Sequence, residues 1–81
     1  MNMQVEVRVQ LKRDVLDPQG EAIRRVLSGL GYSEVVEARV GKLVLLEVTG
    51  DDRDKVQRRV EEACRDLLAN PVIEDFEVRV P

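Results

Sequence analysis

Lys12, Arg13, Asp17, Gln19 and Gly20 crowd into one short run, Lys12-Arg13-Asp14-Val15-Leu16-Asp17-Pro18-Gln19-Gly20. Two cations beside carboxylates, followed by an amide and a glycine, suit the holding of a polar ligand or a charged partner surface. They do not suit proton or electron transfer. The chain has no histidine, the commonest general base and metal ligand. Its one cysteine, Cys64, leaves no internal disulfide and no CxxC metal or redox site. With no histidine to activate it, Cys64 reads as an inert thiol on the apolar side of a helix. Asp51, Asp52 and Asp54 lack the glycine and distal glutamate of a calcium loop. No catalytic, cofactor-binding or metal-binding residue is therefore expected.

Folding explains part of the run. Asp17 can cap a helix that Pro18 opens. A helix start does not call for Lys12, Arg13, Gln19 and Gly20, and these are left as candidates for function.

The elements that must position them follow from periodicity. Met3, Val5, Val7, Val9 and Leu11 alternate with polar residues, which predicts a strand with one apolar face. Ala22, Ile23, Val26, Leu27 and Leu30 recur at helical spacing and Gly31 supplies a stop. Glu21 and Arg25 form an exposed i,i+4 pair in the favourable order. Val35–Val40 and Leu43–Thr49 read as two strands, with Gly41-Lys42 as a tight hairpin between them. Asp51 or Asp52 can cap a second helix whose apolar face is Val56, Val60, Ala63, Cys64, Leu67 and Leu68. Arg58, Arg59, Glu61, Glu62 and Arg65 read as its solvated, salt-bridged side. Asn70-Pro71 ends it, since asparagine tolerates a left-handed turn and proline cannot continue a helix. Phe76, Val78 and Val80 alternate in a last strand. The order βαββαβ predicts an α+β, ferredoxin-like two-layer sandwich: a four-stranded antiparallel sheet with two helices on one face, one domain over residues 1–81.

Composition bounds the partners. At 81 residues, folding buries only about 60–65% of the surface the unfolded chain exposes. Small chains commonly complete their burial by association. Leu43, Val44, Leu45, Leu46 and Val48 place aliphatic groups on both faces of one strand. Either a partner or second copy packs there, or long stems such as Arg8 and Gln10 shield it. A net charge of −3 argues against a nucleic-acid binder. No apolar run approaches a membrane span, and a strand pattern begins within three residues, so no signal peptide is expected. A cytoplasmic protein is the expectation.

Relatives of this topology offer contrasts. RNA-binding forms stack bases on strand aromatics, which are missing from the corresponding strands here. Amino-acid-sensing domains of the ACT type carry an Asp-x-Pro-Gly type turn after the first strand. Asp17-Pro18-Gln19-Gly20 is close to it, so a small-molecule sensor is the alternative function.

Three segments in register resemble the PurS family: Lys12 through Gly20, the turn Arg39-Val40-Gly41-Lys42, and Leu67-Leu68-Ala69-Asn70-Pro71-Val72-Ile73-Glu74-Asp75-Phe76. The resemblance covers essentially the whole chain. Arg13 stands where a lysine or glycine is usual in the family, and Phe76 where tyrosine is common. PurS is the small subunit of phosphoribosylformylglycinamidine (FGAM) synthase. The resemblance implies a non-catalytic subunit, a dimer or tetramer, bridging a PurQ-like glutaminase and a PurL-like synthetase and helping ammonia pass between them. The complex would use ATP, Mg and glutamine, with no cofactor in this subunit. Candidate partner-binding residues are Lys12, Arg13, Gln19, Gly20, Lys42 and Asn70. The first loop and the Asn70-Pro71 junction are expected at opposite ends of the sheet, as two separate surfaces.

Overall fold

The structure, a computed structural model, describes residues Met1–Pro81. β1 (Asn2–Leu11) is the central strand of a three-stranded antiparallel sheet, flanked by β2 (Gly41–Thr49) and β3 (Glu74–Arg79). In the register Val5 faces Leu46, Val7 faces Val44 and Val78, and Val9 faces Phe76. The apolar face of β1 is thus continuous with those of its neighbours. α2 (Arg53–Ala63) lies across this face, and Val56, Val60 and Cys64 close over Val5, Val7 and Val9. The three valines are almost wholly buried.

Asp52 caps α2 by accepting the N–H groups of Asp54 and Lys55. The helix ends in a π-helical turn, Cys64–Leu68, after which Ala69 is extended. Asn70 is not left-handed, contrary to expectation; only Gly31 has a positive φ, of 102°. The side-chain oxygen of Asn70 accepts the Val72 N–H instead, so asparagine ends the helix through a local side-chain turn.

The expected fourth strand does not form, and no hairpin stands at Gly41-Lys42. The β1–β2 register reaches Gln10 opposite Gly41 and then runs straight on, with Arg39 against the Lys12 carbonyl and Arg13 against Glu37. Residues 35–40 therefore prolong the line of β2 past the end of the sheet. The reason lies in two contacts distant in sequence: the Val40 N–H is held by Asp17 and the Arg39 guanidinium by the Lys12 carbonyl, so the chain is tied forward rather than turned back.

The expectation of two helices on one face also fails. α1 (Pro18–Gly29) belongs to an arm with residues 30–40. Within it Gly20 is buried, whereas Ile23, Val26 and Leu30 are exposed. The molecule extends 49 Å, and its radius of gyration is 16.2 Å, against about 12 Å for a compact domain of this length. On the opposite sheet face Leu43 and Leu45 remain 55% and 57% exposed. Arg8 and Gln10 do not shield them.

Candidate functional site

The first loop leaves the sheet at Lys12, whose backbone N–H donates to the Ile73 carbonyl at 2.9 Å. Its ammonium pairs with the Asp75 carboxylate at 2.9 Å, and its carbonyl accepts the Arg39 guanidinium at 2.8 Å. Leu11 is registered against Glu74. The antiparallel pairing of β1 with β3 thus brings the first loop and the Asn70-Pro71 junction to the same end of the sheet. This corrects the expectation of opposite ends, because a strand antiparallel to β1 must begin where β1 finishes.

Asp17 organises this end. One carboxylate oxygen accepts the Gly20 N–H at 2.9 Å, capping α1; the other accepts the Val40 N–H at 2.7 Å. The Val40 hydrogen bond, then that from Gly20, holds the Asp17 carboxyl below its ordinary pKa, with the Arg39 charge adding to them against a partial desolvation. Gly20 is needed for close approach: a Cβ there would lie 2.2 Å from the Ala38 carbonyl oxygen.

Gln19 and Lys42 line a cavity of about 300 Å³ with Asp17, Val40 and Glu74. Asn70 belongs to the same neighbourhood through Glu74, whose carboxylate accepts the Asn70 N–H at 2.7 Å. Arg13 looks the other way, paired with Glu37 at 3.1 Å beside Arg25 and Glu21. The structure therefore gathers Lys12, Gln19, Gly20, Lys42 and Asn70 around one end and leaves Arg13 on its flank. Arg39 and Glu74 complete the arrangement. They were visible only as motif letters, since nothing in local spacing shows a guanidinium reaching across to the Lys12 carbonyl.

The groups gathered at this end are cations, carboxylates, amides and backbone N–H groups, which can hold a polar or charged surface. No group of three or more His, Cys, Asp or Glu converges as metal ligands. Cys64 is buried, and desolvation, with the Glu61 charge, pushes its thiol pKa up, away from nucleophilic form. The Asp17–Gly20 turn is filled from within the chain. Both carboxylate oxygens are engaged by backbone N–H groups, which disfavours the amino-acid sensor. No helix is long and apolar enough to cross a membrane.

The family model for PurS, described as phosphoribosylformylglycinamidine (FGAM) synthase, matches residues 4–81. The Bacillus subtilis FGAM synthase subunit PurS is 46% identical over 76 residues, covering 94% of this chain and 89% of that one. The Methanocaldococcus jannaschii PurS is 43% identical over 74 residues, covering 91% and 89%. A chain of the solved PurLQS structure from Thermotoga maritima superposes with a TM-score of 0.91 at 38% identity, over 100% of this chain and 99% of that one. The likeness spans the α1 arm as well as the sheet, so the open shape is shared. Family model, relatives and shape agree over nearly the full length, and the chain belongs to the PurS family.

Proposed function

We propose that this chain is the non-catalytic bridging subunit of FGAM synthase in purine biosynthesis. It joins a PurQ-like glutaminase to a PurL-like synthetase and assists ammonia transfer between them. One observation carries the reading: the full-length likeness, arm included, to a chain of the PurLQS structure. The site supports it in kind, because its groups present a surface and hold no reacting constellation. ATP, Mg and glutamine are assigned to the other subunits, and the complex to the cytoplasm. Lys12, Gln19, Gly20, Lys42 and Asn70 form the partner-facing end, with Arg13 at its rim.

The open shape supports self-association as part of this role. The apolar side of α1 and the free edge of β2 are uncovered. A bare strand edge invites pairing. A second copy laid along β2 would supply the fourth strand that the single chain does not form, and would bury Ile23, Val26 and Leu30. A dimer is the minimum state this requires, with a tetramer open to it through Leu43 and Leu45.

Light scattering on a sizing column tests the assembly. The chain mixed with glutaminase and synthetase, in the presence of glutamine and nucleotide, should elute as one species containing all three. Elution of the chain apart from both proteins contradicts the role.

A further inference from the structure

The arm joins the body at one narrow base, where Asp17, Gly20 and Arg39 meet. Asp17 uses a different oxygen for each side of the joint. One takes the Gly20 N–H in the first turn of α1, and the other takes the Val40 N–H at the entry to β2. Gly20 meets the returning chain directly, with room for no side chain against the Ala38 carbonyl. The Arg39 guanidinium pins the same entry to the exit of β1 through the Lys12 carbonyl. Beyond the base, α1 has its exposed apolar residues and no core of its own. Its direction is therefore decided at the base.

We infer that Asp17 and Gly20 form a latch that fixes the direction of the α1 arm and so determines whether two copies of this chain can associate. Asp17 is a positioning residue in this role: it acts through the placement of Ile23, Val26 and Leu30. The inference rests on the self-association proposed above. It separates two jobs that one carboxylate performs. A cap needs one acceptor, and a latch needs two. Asp17→Asn leaves an acceptor for the Gly20 N–H but turns an N–H₂ donor toward the Val40 N–H. Gly20→Ala strikes the same joint from the other side, by steric conflict with Ala38.

The test is sedimentation equilibrium on full-length wild type, Asp17→Asn, Gly20→Ala and Asp52→Ala, with far-UV circular dichroism on each. Asp52 caps α2 and holds nothing else, so Asp52→Ala reports the effect of losing a cap alone. The two latch variants should raise the dimer dissociation constant by roughly tenfold or more, as expected when the fraction of chains with the arm correctly placed falls to about a tenth. They should keep the wild-type helix signal. Asp52→Ala should lower thermal stability while leaving the dissociation constant near that of wild type. If Asp17→Asn fails to fold, Asp17→Ser keeps a good cap without turning an N–H₂ donor toward Val40, and it cannot bridge the joint, so it should show the same weakened association. Latch variants that associate as tightly as wild type overturn the inference, as does an equal weakening in Asp52→Ala. A wild-type chain that stays monomeric overturns the self-association beneath it, a separate and recognisable outcome.

Discussion

The Lys12 N–H and the Ile73 carbonyl are joined by a 2.9 Å hydrogen bond at the end of the sheet. Through that bond, and the Lys12–Asp75 ion pair beside it, the first loop and the Asn70-Pro71 junction become parts of one surface. Substitutions on the two segments should then affect the same partner. Lys12→Ala and Asn70→Ala are each expected to weaken binding to one and the same FGAM synthase subunit, with the double variant less than additive. The Lys12–Asp75 pair is partly exposed, so Lys12→Ala should cost no more than about 1 kcal/mol of stability. Titration calorimetry against each separate subunit checks this. Losses that fall on different subunits would divide the surface.

The exposed side of α1 gives a second expectation. Val26→Asp places a charge in the middle of the uncovered apolar stripe, at a residue that touches no core in the single chain. It should abolish self-association and leave the β1–α2 core intact. Light scattering reads the first effect and circular dichroism the second. A Val26→Asp dimer as tight as wild type would remove α1 from the interface.

Sequence reasoning reached some of this and missed the rest for identifiable reasons. The β1 alternation, both caps and the Gly31 stop are local signals, and all appear in the structure; of the expected α2 face Val56, Val60 and Cys64 are buried, whereas Leu67, carried out by the π-helical turn, is 82% exposed. Whether residues 35–40 turn back at Gly41 or run on is not a local question. It is settled by Asp17 and Lys12, more than twenty residues away in the chain. The apolar stripe of α1 has helical spacing whether it covers its own sheet or projects away, so its periodicity could not tell the two apart. Lys12, Arg13, Gln19 and Gly20 are neighbours in sequence, and their common placement follows from the run itself. The pairing that unites them with Asn70 depends on strand direction, which the opposite-ends expectation had reversed.

The core should answer to size. Val7 lies at the centre of β1, fully buried between both partner strands and α2. Val7→Ala removes two methyl groups there and is expected to cost about 2 kcal/mol. Urea denaturation at fixed protein concentration measures it. In the same experiment Cys64 should resist a thiol reagent in the native protein and react once denatured, because burial both shields it and raises its pKa. Rapid native-state labelling would contradict the packing of the π-helical turn.

Asp17 also sets a pH dependence. Its carboxyl titrates below the ordinary value in the folded chain, chiefly through the Val40 hydrogen bond. A depressed folded pKa gives stability that is fully present above the unfolded value, about 4, and is lost as pH falls through the folded one. Glu21 and Glu77 are depressed too, by Arg24 and Arg79, so wild type alone would mix three effects. The difference between wild type and Asp17→Asn isolates one. Thermal stability of wild type should fall more steeply than that of Asp17→Asn below about pH 4. Parallel curves would mean that Asp17 carries no such linkage.

The bridging role is tested most directly by comparing two ammonia sources in one reconstituted system. Glutaminase, synthetase, ATP, Mg and the formylglycinamide ribonucleotide substrate are assayed with and without this chain, using glutamine in one arm and ammonium chloride in the other. Glutamine-driven FGAM formation should require the chain, saturating at a fixed ratio to the other subunits, while ammonium-driven formation proceeds without it. Equal glutamine-driven rates in its presence and absence would contradict the bridging role.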